Sequence, residues 1–148
     1  MSEIDLRRRA SFPHWTTDVI RYSDLDPNGH VNNGAINAFL EDGRVRFRDA
    51  HLKTPDEDIL TGFVLVKYTI EYHAMLHFPG SVDVGTTVTR IGNSSYTLGQ
   101  GVFRDGADDC VASALVVTVR VDPKTRKPTP LGESFKARLL KVSPDAER

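Results

Sequence analysis

The chain has 148 residues, 39% of them hydrophobic, with 19 Lys and Arg against 20 Asp and Glu and a single cysteine. That length suits one domain, able to remove roughly 68–70% of its unfolded surface from water and so to build a core without disulfides or a structural metal. The formal charge of -1 gives no basic excess for nucleic acid, Cys110 has no partner for an internal disulfide, and no apolar stretch approaches the ~18 residues of a bilayer span. A reduced, cytoplasmic domain that neither enters a membrane nor binds nucleic acid is the expectation.

Residues 1–13 read as a tail. Arg7, Arg8 and Arg9 stand near Glu3 and Asp5 with no apolar region after them, which is the pattern of a solvated segment and not of a targeting signal. From His14 the aromatic and β-branched residues Trp15, Thr16, Thr17, Val19, Ile20 and Tyr22 predict a strand. Ser23 to His30 is dense in turn formers and predicts a loop.

A helix is expected from Gly34 to about Ala50, with Asn32 or Asn33 as its cap. Ile36, Phe39, Leu40, Gly43 and Phe47 fall at offsets of 0, 3, 4, 7 and 11 and make one apolar stripe. Asp42 and Arg46 stand at i,i+4 on another side. A glycine on the apolar stripe costs up to ~1 kcal/mol against alanine, so it implies close approach of the helix to a sheet.

After a polar segment, Lys53 to Asp58, four strands follow. Val64, Val66, Tyr68, Ile70 and Tyr72 alternate in the first. A turn at Phe78-Pro79-Gly80 leads to Val82, Val84, Thr86 and Val88, and Ile91 to Ser94 turns into Tyr96, Leu98, Gln100 and Val102. Asp105-Gly106 signals a hairpin into Val111 to Val121, where Leu115, Val117, Val119 and Val121 predict the apolar face. Short connections make these strands an antiparallel meander, and the helix must lie across one face of it, an α+β arrangement. Residues 123–148 form an extension with a short helix expected from Glu133 to Lys141.

Chemistry concentrates in the loop before the helix. Asp24, Asp26, Asn28 and His30 alternate and then run into a helix N-terminus, where free N–H groups and the helix dipole favour developing negative charge. Singly, each residue is a common turn former or cap; together they form a polar cluster at an oxyanion-binding position. His73 and His77 stand four apart, a metal spacing only on a helix, and their segment is strand and turn, so no metal is expected. His14 and His51 fall at element ends and read as solvated. Cys110 lies among small residues and reads as a buried structural thiol.

The stretch Tyr22-Ser23-Asp24-Leu25-Asp26-Pro27-Asn28-Gly29-His30-Val31-Asn32-Asn33 resembles the loop motif of hotdog-fold acyl thioesterases of the 4-hydroxybenzoyl-CoA thioesterase type, and the order strand, helix, four strands matches the hotdog fold over residues 14–122. The resemblance implies an acyl-CoA or acyl-ACP thioesterase without a cofactor. Asp26 matches the catalytic carboxylate, acting either as general base on water or as nucleophile, and Asp24 matches a structural position. Asp26, Asn28 and His30 also resemble the Asp, Asn, His set of plant acyl-ACP thioesterases, but Met75 stands near the position of those enzymes' further glutamate. Asn28 would hold the carbonyl or water; His30 would orient Asp26 or the water, or protonate the departing sulfur.

The N–H groups around Asn33 and Gly34 would receive the oxyanion, and Asn32, Arg90, Ser94 and Ser95 are candidate substrate contacts. Hotdog sheets pair in dimers that share their sites, so a homodimer or homotetramer is implied. Two other readings keep part of this picture. One is an enoyl-thioester hydratase or dehydratase, whose loop sets Asp and His one residue further apart; the other is a non-catalytic acyl-CoA binding module, which has no need of a carboxylate at the helix end.

Overall fold

A computed structural model describes residues 4–56 and 61–148. Among the described residues there are five strands, β1 (His14–Val19), β2 (Phe63–Tyr72), β3 (Ser81–Ile91), β4 (Ser95–Arg104) and β5 (Cys110–Arg120), and two α-helices, α1 (Asn33–His51) and α2 (Glu133–Val142). The strands form one antiparallel sheet in the order β1, β3, β4, β5, β2. The helix stripe expected from the sequence is the buried one: Ile36, Phe39, Leu40, Gly43 and Phe47 face the sheet. This is the α+β hotdog arrangement, a long helix lying across an antiparallel sheet. Glu3 and the Glu57–Asp58 part of the expected polar segment lie outside the described residues.

Helix and sheet meet most closely at Gly43. A Cβ there would stand 2.9 Å from Val84 Cγ1, 3.2 Å from Gln100 Nε2 and 3.3 Å from Thr16 Oγ1. Buried Gln100 ties the same region together, donating to the Leu40 carbonyl at 3.0 Å and to Thr86 Oγ1 at 3.1 Å and accepting from Arg44 at 3.1 Å. Around this contact Ile36, Phe39 and Leu40 pack on Val82, Val84, Val102, Ala112 and Ala114. Helix α2, where the sequence predicts it, extends the core at the far end of α1, packing Phe135 and Leu139 with Phe47, Tyr96 and Leu98.

Four sequence expectations are corrected. The first is the four-strand meander: β3, β4 and β5 follow one another, but β2 pairs with β5 and not with β3, so the chain crosses over between β2 and β3. The second concerns β5: Val111, Ala112, Ala114 and Val116 are among its buried apolar residues, while Leu115, from the expected alternation, is 42% exposed. Both faces of that strand are apolar enough for period-two alternation to fit either, and small residues on the helix side permit close packing. The third concerns the N-terminal segment, which is not solvated. Phe12 is buried with Phe103 and Cys110, Leu6 lies against Gly99 and Gly101, and the Arg9 guanidinium pairs with Asp83 at 2.8 Å. It covers the sheet face opposite α1. The fourth concerns His14 and His51, whose ring nitrogens approach to 3.0 Å between β1 and α1 instead of facing water.

That β1–α1 seam also holds a carboxyl pair, Asp18 against Asp42, with the Arg46 guanidinium 3.7 Å from Asp18 and 3.1 Å from Asp42. Desolvation, then the hydrogen bond and charge of Asp42, push the Asp18 carboxyl up to about 6, against the opposing pull of Arg46 and Arg21. Burial, with the neighbouring His51, holds His14 below the ordinary imidazole value.

Two outcomes follow from these contacts. Gly43→Ala gains about 1 kcal/mol of helix propensity but overpacks the seam at a cost of about 1–3 kcal/mol, so denaturant unfolding should show a net loss of stability. Because the Asp18 pKa is raised on folding, the native state holds that proton more tightly, and its stabilising contribution is lost as pH rises from about 4 through about 6. Asp18→Asn, a mimic of the protonated acid, should therefore raise Tm at pH 7.5 and lose that advantage by pH 4.5; thermal melts at the two pH values check it.

Candidate active site

Residues 20–31 leave the end of β1 and return to the start of α1. Asp24 holds this loop from inside. Its buried carboxylate accepts from the Arg21 amide at 2.8 Å and the Arg21 guanidinium at 3.1 Å, and its carbonyl accepts from the Asn32 amide at 2.8 Å. The sequence assigns Asp24 a structural place, and these bonds give it one. A bridge between Leu25 and Val31 narrows the loop further.

Asp26 sits at the tip of that narrowed loop. Its Oδ1 accepts from the Asn28 amide at 2.9 Å and the His30 amide at 3.2 Å, and its own amide donates to the His30 carbonyl at 2.8 Å. Gly29 takes φ of +81° between them, a left-handed conformation that closes the turn. Two N–H donors fix one carboxylate oxygen, while Oδ2 has no hydrogen bond among the described residues. Asp26 is therefore oriented but left with an available basic oxygen.

Asp26, His30 and Asn33 line one cleft of about 380 Å³, floored by Val31, Ile36 and Leu76 and rimmed by Tyr72 and Met75. A larger cavity of about 780 Å³ lies between the N-terminal segment and Val142–Ala146, and none of the loop's groups reach it. The smaller cleft is the better site because a carboxylate, an imidazole and a helix N-terminus converge there.

At that N-terminus Asn32 is the cap. Its Oδ1 accepts from the Gly34 amide at 2.7 Å, while the Ala35 and Ile36 amides donate to its carbonyl. The sequence expectation that both Asn33 and Gly34 offer N–H groups is thus revised: Gly34 is engaged, and Asn33 carries the N–H without a partner among the described residues. Asn32, expected as a substrate contact, uses its Oδ1 as the helix cap.

The other expected site residues separate. Asn28 contributes its amide to Asp26, but its side chain is exposed and does not line the cleft. Arg90, Ser94 and Ser95 are not at the cleft. The Asp26 loop leaves β1 at Val19, opposite Ser81, whereas those residues stand at the other end of the 11-residue β3, about 30 Å away at ~3.3 Å per residue. There Arg90 bridges to Glu147, and the Ser94 and Ser95 carbonyls accept from Arg120 and Gly92.

Cys110 is buried, its thiol pushed up by desolvation and donating to the Ala112 carbonyl at 3.1 Å. His73 pairs with Ser113 Oγ at 2.8 Å, and burial holds it below the ordinary imidazole value. His77 instead places its ring 5.3 Å from that of His30. The sequence offers His77 only as a metal partner of His73, at a spacing that a strand and turn do not support, and does not bring it to His30, because those two histidines meet only through the fold. Among the described residues no three His, Cys, Asp or Glu side chains gather as a metal site.

The model of the Thioesterase-like superfamily matches residues 20–139, which takes in the loop, the helix and all but the first strand. The chain belongs to that superfamily. Its class is that of the thioester hydrolases. Similar proteins include the acyl-CoA thioester hydrolase YbgC of Escherichia coli O6:H1, 27% identical over 120 residues that cover 80% of this chain and 89% of that one. A thioesterase from Thermus thermophilus, solved in complex with coenzyme A and Zn, matches with a TM-score of 0.79 and 28% identity, over 90% of this chain and 96% of that one. The PA5185 protein of Pseudomonas aeruginosa PAO1 matches with a TM-score of 0.82 and 25% identity, over 95% and 98% of the two chains.

Loss of the cap tests the geometry of this superfamily member's helix end. Asn32→Ala should lower stability by about 1 kcal/mol in denaturant unfolding, and Asn32→Asp, which still accepts from Gly34, should keep most of it.

Proposed function

We propose that the protein hydrolyses acyl-CoA thioesters in the cleft at the start of α1, with Asp26 as the essential carboxylate. The observation that carries this reading is the Asp26 carboxylate itself, held at Oδ1 by two loop amides and free at Oδ2, beside an unpartnered helix N–H. In this reading Oδ2 takes a proton from water, and the hydroxide so formed adds to the thioester carbon. Charge developing on the carbonyl oxygen is met by the Asn33 N–H and the positive end of α1. Collapse of the tetrahedral intermediate breaks the C–S bond and releases the thiolate, with His30 as the nearby group able to give it a proton.

Coenzyme A is the favoured carrier, since YbgC is named for acyl-CoA substrates and the Thermus protein was solved with coenzyme A. A second copy of the chain completes the cleft in this proposal. Strand β2 is an edge of the sheet, and Leu65, Val66 and Tyr72 on it are exposed along with Met75 just beyond it. Tyr72 and Met75 also rim the cleft, so a partner paired along β2 would cover apolar surface and wall the site at once.

Purified protein should release free thiol from one or more members of an acyl-CoA panel. Asp26→Asn should lower kcat/KM by about 10²-fold or more with an unchanged circular dichroism spectrum. Equal turnover in that variant would remove Asp26 from the mechanism.

A further inference from the structure

The catalytic loop is braced from outside by one short segment, Leu76–Gly80. The Val31 amide donates to the Leu76 carbonyl at 2.8 Å, and the Ile20 amide donates to the Gly80 carbonyl at 2.9 Å, so the brace spans the loop from its first residue to its last. Between these bonds two ring contacts join the same segments. Tyr22 meets Phe78 at 6.0 Å between centroids and His30 meets His77 at 5.3 Å, both edge to face.

The His30–His77 contact has a fixed register. Residues 31 and 76 are bonded through their backbones and Leu76 is 1% exposed, so the Cα of His77 is anchored beside that of His30. The His30 backbone is equally fixed, its amide and carbonyl both bound to Asp26. Its imidazole, by contrast, makes no hydrogen bond among the described residues. Only rotation about χ1 and χ2 remains to it, and the ring it meets is that of His77. An edge-to-face ring contact favours one rotamer of a side chain that is otherwise free.

From this arrangement we propose that His77 is a positioning residue of the active site: its ring holds the His30 imidazole in the orientation that faces the cleft. The kinetic part of this proposal rests on the thioesterase reading above. The conformational part does not. His77 itself is exposed and outside the cleft lining, so it acts through His30 and not on the substrate.

The test is a set of four proteins: His77→Ala, His77→Phe, His30→Ala and the double variant His30→Ala/His77→Ala, each checked for an unchanged Tm. His77→Ala should lower kcat about tenfold with KM within about twofold, the mark of a misdirected catalytic group and not of lost binding. His77→Phe, which keeps a ring against His30, should retain most of the rate. In the His30→Ala background, removing His77 should cost nothing further. Histidine side-chain NMR of the free protein supplies a readout independent of turnover: the His30 ring signals should move in His77→Ala more than those of any other histidine.

Unchanged kcat in His77→Ala, full activity in His30→Ala, losses that add in the double variant, or unmoved His30 signals would each overturn the proposal. Absence of thiol release by the unsubstituted protein would instead overturn the thioesterase reading, and the NMR comparison would still decide whether His77 holds the ring.

Discussion

Gly43 lets α1 rest on β1, β3 and β4 with nothing between helix backbone and sheet but the side chains of Thr16, Val84 and Gln100. α1 is the long helix on this sheet, so this contact bears on its height and rotation, and with them the place of its N-terminus about three turns earlier. Gln100 reinforces the same point by reaching from β4 to the Leu40 carbonyl. The Asp26 loop is tied to β1, to the Leu76–Gly80 segment and, through the Asp24 carbonyl and the Asn32 amide, to the start of the helix, so the seating of α1 bears on where the Asn33 N–H stands relative to Asp26. The core here fixes the geometry of the chemistry as much as it stabilises the fold.

The loop is restrained at three levels. Asp24 ties its beginning to its end from within, the Leu76–Gly80 brace ties both ends from without, and Asp26 ties its own carboxylate to the tip. Such preorganisation matters because an oxyanion site that must rearrange during reaction forfeits much of its electrostatic advantage. A carboxylate held by backbone amides also keeps its orientation without a second side chain.

Much of this was legible in the sequence, and the limits have physical causes. The α1 stripe was readable because a 3.6-residue period has one solution, and Gly43 was readable because a costly glycine on such a stripe needs a reason. The β5 face was misread because Val, Ala and Leu on both sides satisfy a two-residue period either way. Asp26 and His30 were legible as a loop motif; His77 was not, since it joins them only through the Leu76–Val31 hydrogen bond. Asn32 was legible as one of two possible caps; which of them caps, and so whether the Gly34 N–H is engaged, depends on one side-chain rotamer. Arg90, Ser94 and Ser95 were assigned by likeness to other hotdog proteins, and a turn at the opposite end of an 11-residue strand cannot reach the cleft of its own chain.

The exposed edge of β2 and the open rim of the cleft fall together at Tyr72 and Met75, so completing the sheet and completing the site are one event in this account. A crystal structure of the protein with an acyl-CoA analogue whose thioester sulfur is replaced by methylene tests the central claim most directly. The account predicts the analogue's carbonyl oxygen within about 3 Å of the Asn33 amide nitrogen and Asp26 Oδ2 on the attacking side of that carbon, beside a second copy paired along β2. A carbonyl bound away from the start of α1, or one that Asp26 cannot reach directly or through one water, would contradict it.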